Sequence, residues 1–286
     1  MAFRFRKQRN PKPISVLAEI KEEIEEKQVQ ERVAIGAHVV HETIRREGEE
    51  ELNRTTSALA WSGLSAGLSM GFSLIAEGLL AAYLPQASWT PLLAKLGYCV
   101  GFLIVVLGRQ QLYTETTLTA VLPLLSRRNA KTALGVLRLW AVVLVANLVG
   151  TYIVAVCVAK IPVFSPHIQQ ALIDVSRGGE GSFGVVFVRA IFAGWLIALM
   201  VWLLPAAESA RVSIIIIITY LIGLGGFNHV IAGSVKALFL VATGSLSVGD
   251  YFLGFFFPTL LGNIAGGVSL VAFLGHAQVV AGKEAD

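Results

Sequence analysis

Asn228 and His229 stand in the stretch "GLGGFNHVIAG" at 223–233, directly after the apolar run "IIIIITYLI". An imidazole donates a hydrogen bond when neutral and can carry a proton near neutral pH. At membrane depth an ionisable group is costly, so its presence points to a solute or proton path. The plainer alternative is a buried histidine that ties a loop to a carbonyl. The glycines at 223, 225 and 226 favour the first reading, because they permit unusual dihedrals and close backbone approach beside the histidine. A break in hydrocarbon frees backbone N–H and C=O groups, which survive only when buried in protein or lining a watery cavity. A half-helix that starts in mid-membrane also points its partial positive charge at whatever sits there.

A second irregularity, "LGRQQLYTET" at 107–116, carries Arg109 and Glu115. These two either line an access funnel or pair with each other or a neighbour. Glu77 and Lys236 suit a cross-span ion pair, and Arg189 is placed to snorkel. Cys99 and Cys157, far apart in apolar runs, read as buried thiols, neither a disulfide nor a metal site. No metal cluster, nucleophile–base pair or paired carboxylates stand at credible spacing, so an enzyme is not expected, nor a metal or other cofactor.

These residues are embedded in a chain of 286 residues, 55% hydrophobic and 15% charged, with mean hydropathy +0.69. Soluble domains carry roughly 25% charged residues, so a membrane body is expected. The charge is concentrated: residues 1–56 hold 11 of 23 Lys+Arg and 11 of 19 Asp+Glu. That balance, without aromatic interleaving, argues against nucleic acid, and the basic start "MAFRFRKQRNPK" suits lipid headgroups. From about 15 to 54 the spacing of Leu17, Ile20 and Ile24, and of Val33, Gly36, Val40 and Ile44, predicts helix.

Six apolar segments follow, at about 57–84, 96–126, 132–159, 184–205, 211–243 and 250–278, each near the ~20 residues that cross a bilayer. The second and fifth are too long for one straight span and contain the two irregularities. "ANLVGT" with Asn147 in the third is answered by "GNIAGG" with Asn263 in the sixth. Thr114 lies 33 residues before Asn147 and His229 lies 34 before Asn263, so His229 is matched by Thr114 or by Tyr113. Three helices per half imply an inverted repeat, about 57–159 and 184–278, with the broken helices meeting near the midplane. Thr114 and His229 then share one lumen. Arg127, Arg128, Lys131 and Arg211 outweigh Lys95, Lys160 and Arg177 on alternate loops, which predicts cytoplasmic N- and C-termini. The expected organisation is a cytoplasmic segment 1–56, a channel domain 57–280 and a tail 281–286.

The stretches "GRQQLYTE", "FNHVIAG", "NLVG" and "NIAGG", taken together, resemble the formate/nitrite transporters, and the charged N-terminus resembles the YfdC-like branch. The resemblance implies an all-α, aquaporin-like protomer of six helices, a homopentamer in a plasma membrane (a bacterial inner membrane), and one pore per protomer. It places Leu112, Tyr113 and Thr114 in the second-span loop element, Phe227 at an aromatic constriction and His229 at the pore centre, beside Asn228. Gln111, Asn228 and Gly233 depart from the acidic, Glu and Asn residues usual there, and Arg177 stands near a lysine position. The expected function is passage of a small monovalent anion. Alternatives are a pore for a small neutral solute, or a non-conducting scaffold or sensor acting through the N-terminal helix.

Overall fold

In a computed structural model of the chain, the described residues are Lys21, 35–179, 181–273, 275 and 277, with the side chains of 270–273 left aside. Contacts divide the chain between Gly36 and Ala37. The expected helical residues Leu17, Ile20, Ile24 and Val33, and the tail 281–286, lie outside the described residues.

Helix α1 (Ala37–Asn53) packs on the membrane body and belongs to the same compact unit. The first span is α2 (Thr56–Tyr83), started by Thr55, whose hydroxyl accepts from the Ala58 N–H at 3.3 Å. Span two begins as α3 (Thr90–Leu107), breaks over 108–112 and resumes as α4 (Tyr113–Thr119) and α5 (Val121–Arg127). Next comes α6 (Ala130–Lys160), capped by Asn129, whose side-chain oxygen accepts from the Thr132 N–H. A connecting helix, α7 (Pro166–Ser176), leads to α8 (Phe183–Leu203). Span five is α9 (Arg211–Leu224), a break, and α10 (Val230–Thr243); the sixth is α11 (Val248–Ser269), which contains π-helical turns. Among the described residues, five helices are long and apolar enough to cross a membrane, and α10 is a shorter apolar helix.

The inverted repeat is written in the packing. A Cβ on Gly67 of α2 would overlap the Asn147 carbonyl, and a Cβ on Gly194 of α8 would overlap the Asn263 carbonyl. Gly150 meets the Leu64 carbonyl as Gly266 meets that of Ile191. Each half therefore brings its first and third helices to backbone contact through glycines at matching positions, the close approach that small residues allow between membrane helices.

The thiols differ from expectation: Cys99 is buried, whereas Cys157 is exposed on α6. The connecting helix α7 was legible but unread. Pro166 stands at its first turn, where proline is favoured, and Ile168 and Leu172, four apart, are its buried face.

Gly194→Ala should destabilise the fold by about 1–3 kcal/mol, the usual range for overpacking, because the obstacle is backbone. Gly184→Ala, where a Cβ meets nothing within 4 Å, should be neutral or stabilising. Unfolding in increasing mole fractions of dodecyl sulfate would measure both.

Candidate functional site

Both breaks are built by one set of bonds. The Gly108 N–H reaches the Ile104 carbonyl and the Gln110 N–H that of Val105; the Gly225 N–H reaches Leu221 and the Phe227 N–H reaches Ile222. Arg109 and Gly226 adopt positive φ, 49° and 61°. Gly226 takes this at no steric cost; Arg109 takes the rarer left-handed state. Each half-helix then restarts on an asparagine from another span. The Asn147 side-chain oxygen accepts from the Tyr113 N–H at 2.9 Å, and its Nδ2 donates to the Gly63 and Gln111 carbonyls. The Asn263 side-chain oxygen accepts from the Val230 N–H at 2.8 Å, and its Nδ2 donates to Ala190 and Asn228.

This bonding sets the register between the halves. Tyr113 corresponds to Val230, so the residue matched with His229 is Leu112, the residue before α4. Neither Thr114 nor Tyr113 is its counterpart. One residue more separates Tyr113 from Asn147 than separates Val230 from Asn263, and the sequence count could not place that extra residue.

His229 is 1% exposed and precedes α10 as its N-cap. Its Nδ1 accepts the Ala232 N–H at 3.2 Å. A neutral imidazole that accepts at Nδ1 carries its proton on Nε2. Nε2 lies 2.8 Å from Thr114 Oγ1, so the ring donates to the threonine. That leaves the Thr114 hydroxyl proton to be aimed elsewhere. The Phe102 ring meets the imidazole edge-on with centroids 5.0 Å apart. Thr114 and His229 thus join the two half-helix starts directly.

The other expected residues divide. Leu112 is fully buried beside the junction. Tyr113 turns to the third span, its ring 6.1 Å from that of Trp140. Phe227 stacks on Phe192 of α8 at 5.3 Å. Phe227, Asn228 and His229 line a cavity of about 610 Å³ that also reaches Arg177, Lys95 and Lys236. Glu77, 1% exposed, accepts from Lys236 Nζ and from Lys95 Nζ, each at 2.6 Å. Lys236 also donates to the Val175 carbonyl and sits 5.4 Å from the Tyr98 ring centroid. Lys95, Lys236 and Arg177 set against Glu77 and Asp250 leave the cavity with an excess of one positive charge.

Arg109 does not meet Glu115; it faces Glu47 of α1 at 3.8 Å, with the Arg109 side chain 71% exposed. On the same side of the junction Glu51 of α1 accepts from Gln111 Nε2 at 3.1 Å and from the Thr119 hydroxyl at 2.5 Å. Burial pushes the Glu51 carboxyl above the usual carboxylate range, and the bonds from Thr119 and Gln111 oppose this only in part.

Lys95, Phe255 and Glu51 were not singled out from the sequence. Lys95 read as a loop charge, and Glu51 was one acid among many in "EGEEELN". Phe255 fills the space over Gly233, where a Cβ would overlap its ring; the missing side chain at 233 was the available signal.

The sequence pattern of the formate/nitrite transporter family matches residues 38–277. The chain belongs to that family. It is 42% identical to the inner membrane protein YfdC of Escherichia coli, over 91% of this chain and 87% of YfdC. It is 26% identical to the uncharacterized transporter YrhG of Bacillus subtilis, over 80% and 89% of the two chains. A solved pentameric formate channel with formate bound superposes with TM-score 0.67 at 21% identity, covering 79% of this chain and 98% of that one. At such identity the superposition carries the fold alone.

Asn263→Leu should cost several kcal/mol, since it strands the Val230 N–H and two carbonyls at about 1–3 kcal/mol for each buried unsatisfied group. Yield and thermal stability in mild detergent should fall well below those of Asn129→Leu, which removes only an exposed cap.

Proposed function

We propose that the chain conducts small monovalent anions across a bacterial inner membrane, one path per protomer, through the Thr114–His229 junction. The observation that carries the reading is the bond between Nε2 of a neutral His229 and the Thr114 hydroxyl, made where two half-helices begin. An anion entering an apolar constriction loses hydration, at several kcal/mol even after relaxation. Three features offset this without placing a fixed charge on the path. The starts of α4 and α10 direct partial positive charge at the junction, worth up to ~2 kcal/mol each in partly buried geometry. The Thr114 hydroxyl, accepting from the imidazole, keeps its own proton to donate to the solute. The wall with Lys95, Lys236 and Arg177 attracts negative charge into the cavity before that point.

In this reading Leu112 and Phe227 narrow the path on the two sides of His229, and Asn228 faces the cavity. The termini lie in the cytoplasm, placing α1 and Glu51 at the inner end and Lys95 and Lys236 at the outer. The formate channel that shares this fold is pentameric by its description, and we extend that assembly to this chain; a native mass corresponding to a monomer in mild detergent would remove it.

Asparagine is a good N-cap residue, so His229→Asn preserves the start of α10 while deleting the imidazole. In proteoliposomes this variant should reduce anion flux about tenfold, the weight of ~1.4 kcal/mol, with assembly intact. Unchanged flux in a folded protein would exclude the central-histidine mechanism.

A further inference from the structure

Gln111, Glu115 and Thr119 are spaced four residues apart across the restart of span two. Glu115 and Thr119 lie on α4, where that spacing makes one stripe, and Gln111, in the break, stands at its start. The single carboxylate of Glu51 is bonded at both ends of the stripe, by Gln111 on one oxygen and Thr119 on the other. Glu115 stands between them, so two carboxyl groups, 64 positions apart in sequence, share one buried place. Gly48 of α1 brings the helices this close: a Cβ there would overlap the Thr119 carbonyl.

The place is short of donors. Glu115 Oε1, Gln110 Oε1 and Gln111 Oε1 are buried, and no donor among the described residues reaches them. Gln111 as a whole is 8% exposed. Gln111 Nε2 and the Thr119 hydroxyl are both engaged by Glu51. Turning the Gln111 amide would aim its oxygen at a carboxylate and worsen the balance. The neighbouring cations have other partners. Arg109 faces Glu47, Arg45 holds Glu42 and Glu49, Arg127 also holds Glu49, and Arg138 donates to the Leu52 and Arg54 carbonyls. Arg54 and Glu47 are further charges that act on Glu51, and His41 lies along α1 against Trp202.

A proton supplies what is missing. Bound to either carboxyl it turns an acceptor into a donor, satisfying one orphan oxygen and removing repulsion between two like charges, the reason closely placed carboxyls hold one proton between them. We propose that Glu51 and Glu115 are a proton-binding pair that holds one shared proton and exchanges it with the passage beside Leu112 and Thr114. The exchange with the passage rests on the reading under Proposed function; the proton site itself does not. The step balances simply: a hydronium on that side breaks one O–H bond and departs as water, its proton forms another O–H bond on a carboxyl oxygen, and that proton later leaves with the solute or returns to water.

The full-length protein in liposomes, titrated under infrared difference spectroscopy, tests it. One carboxyl C=O band should persist at neutral pH and vanish in both Glu115→Gln and Glu51→Gln, while Glu47→Gln keeps it. Thr119→Val removes a donor to the ionised form, so it should move loss of the band to higher pH. Anion accumulation driven by an imposed proton gradient should fall several-fold in Glu115→Gln. Absence of the band in the parent protein, or its survival in both single variants, overturns the site. A band that behaves as expected in a protein that moves no anion keeps the site and removes the exchange with the passage. Should either glutamine variant fail to fold, the direction of the Thr119→Val shift decides.

Discussion

Two carboxamides hold this protein's centre together. A transmembrane helix that stops half-way has freed backbone groups where no lipid can satisfy them, each costing several kcal/mol. Asn147 and Asn263 answer this with one device: the oxygen takes the first N–H of the restarted half-helix, and the nitrogen ties the break to the first helix of the same repeat. Glycines at matched positions then let those helices touch along their backbones. The placement of Thr114 against His229 follows, because each is within two residues of a clamped N–H. The junction is therefore as rigid as the asparagines that set it.

The surroundings of the junction differ sharply on its two sides. On one, Glu77 is outnumbered by Lys95 and Lys236, and the wall of the cavity is cationic. On the other, acids from α1 and α4 crowd a place with few donors. Between them stands an uncharged imidazole. In the proposed reading such an arrangement draws in an anion from the cationic side and lets it pass the narrow point without meeting a fixed counter-charge that would hold it there, with a proton held on the acidic side.

The spans, their breaks and the repeat were legible in the sequence because each is a local departure from an apolar pattern. Glycines interrupt "IIIIITYLI", "RQQ" interrupts the second run, and Asn147 and Asn263 recur in similar company. The register was one step harder. A single extra residue between Tyr113 and Asn147 leaves no mark in composition, so Leu112 emerged as the counterpart of His229 only from the hydrogen bonds. Charge partners were harder still. Arg109 facing Glu47, Lys95 joining Glu77 and Lys236, and Glu51 beside Glu115 all depend on helix rotation and on where α1 packs. Apolar flanks say nothing of either. Phe255 over Gly233 depends in addition on the π-helical turn at Tyr251–Phe256, which shifts the facing of that span.

The central claim is that the path selects for negative charge while keeping its own centre neutral. Comparison of formate with formamide, nearly equal in size and differing in charge, tests it most directly in proteoliposomes holding the unaltered protein. Formate flux should exceed that of protein-free vesicles severalfold at neutral pH, with formamide little above background. Rapid formamide entry with formate at background would contradict the account and make the passage one for neutral solutes.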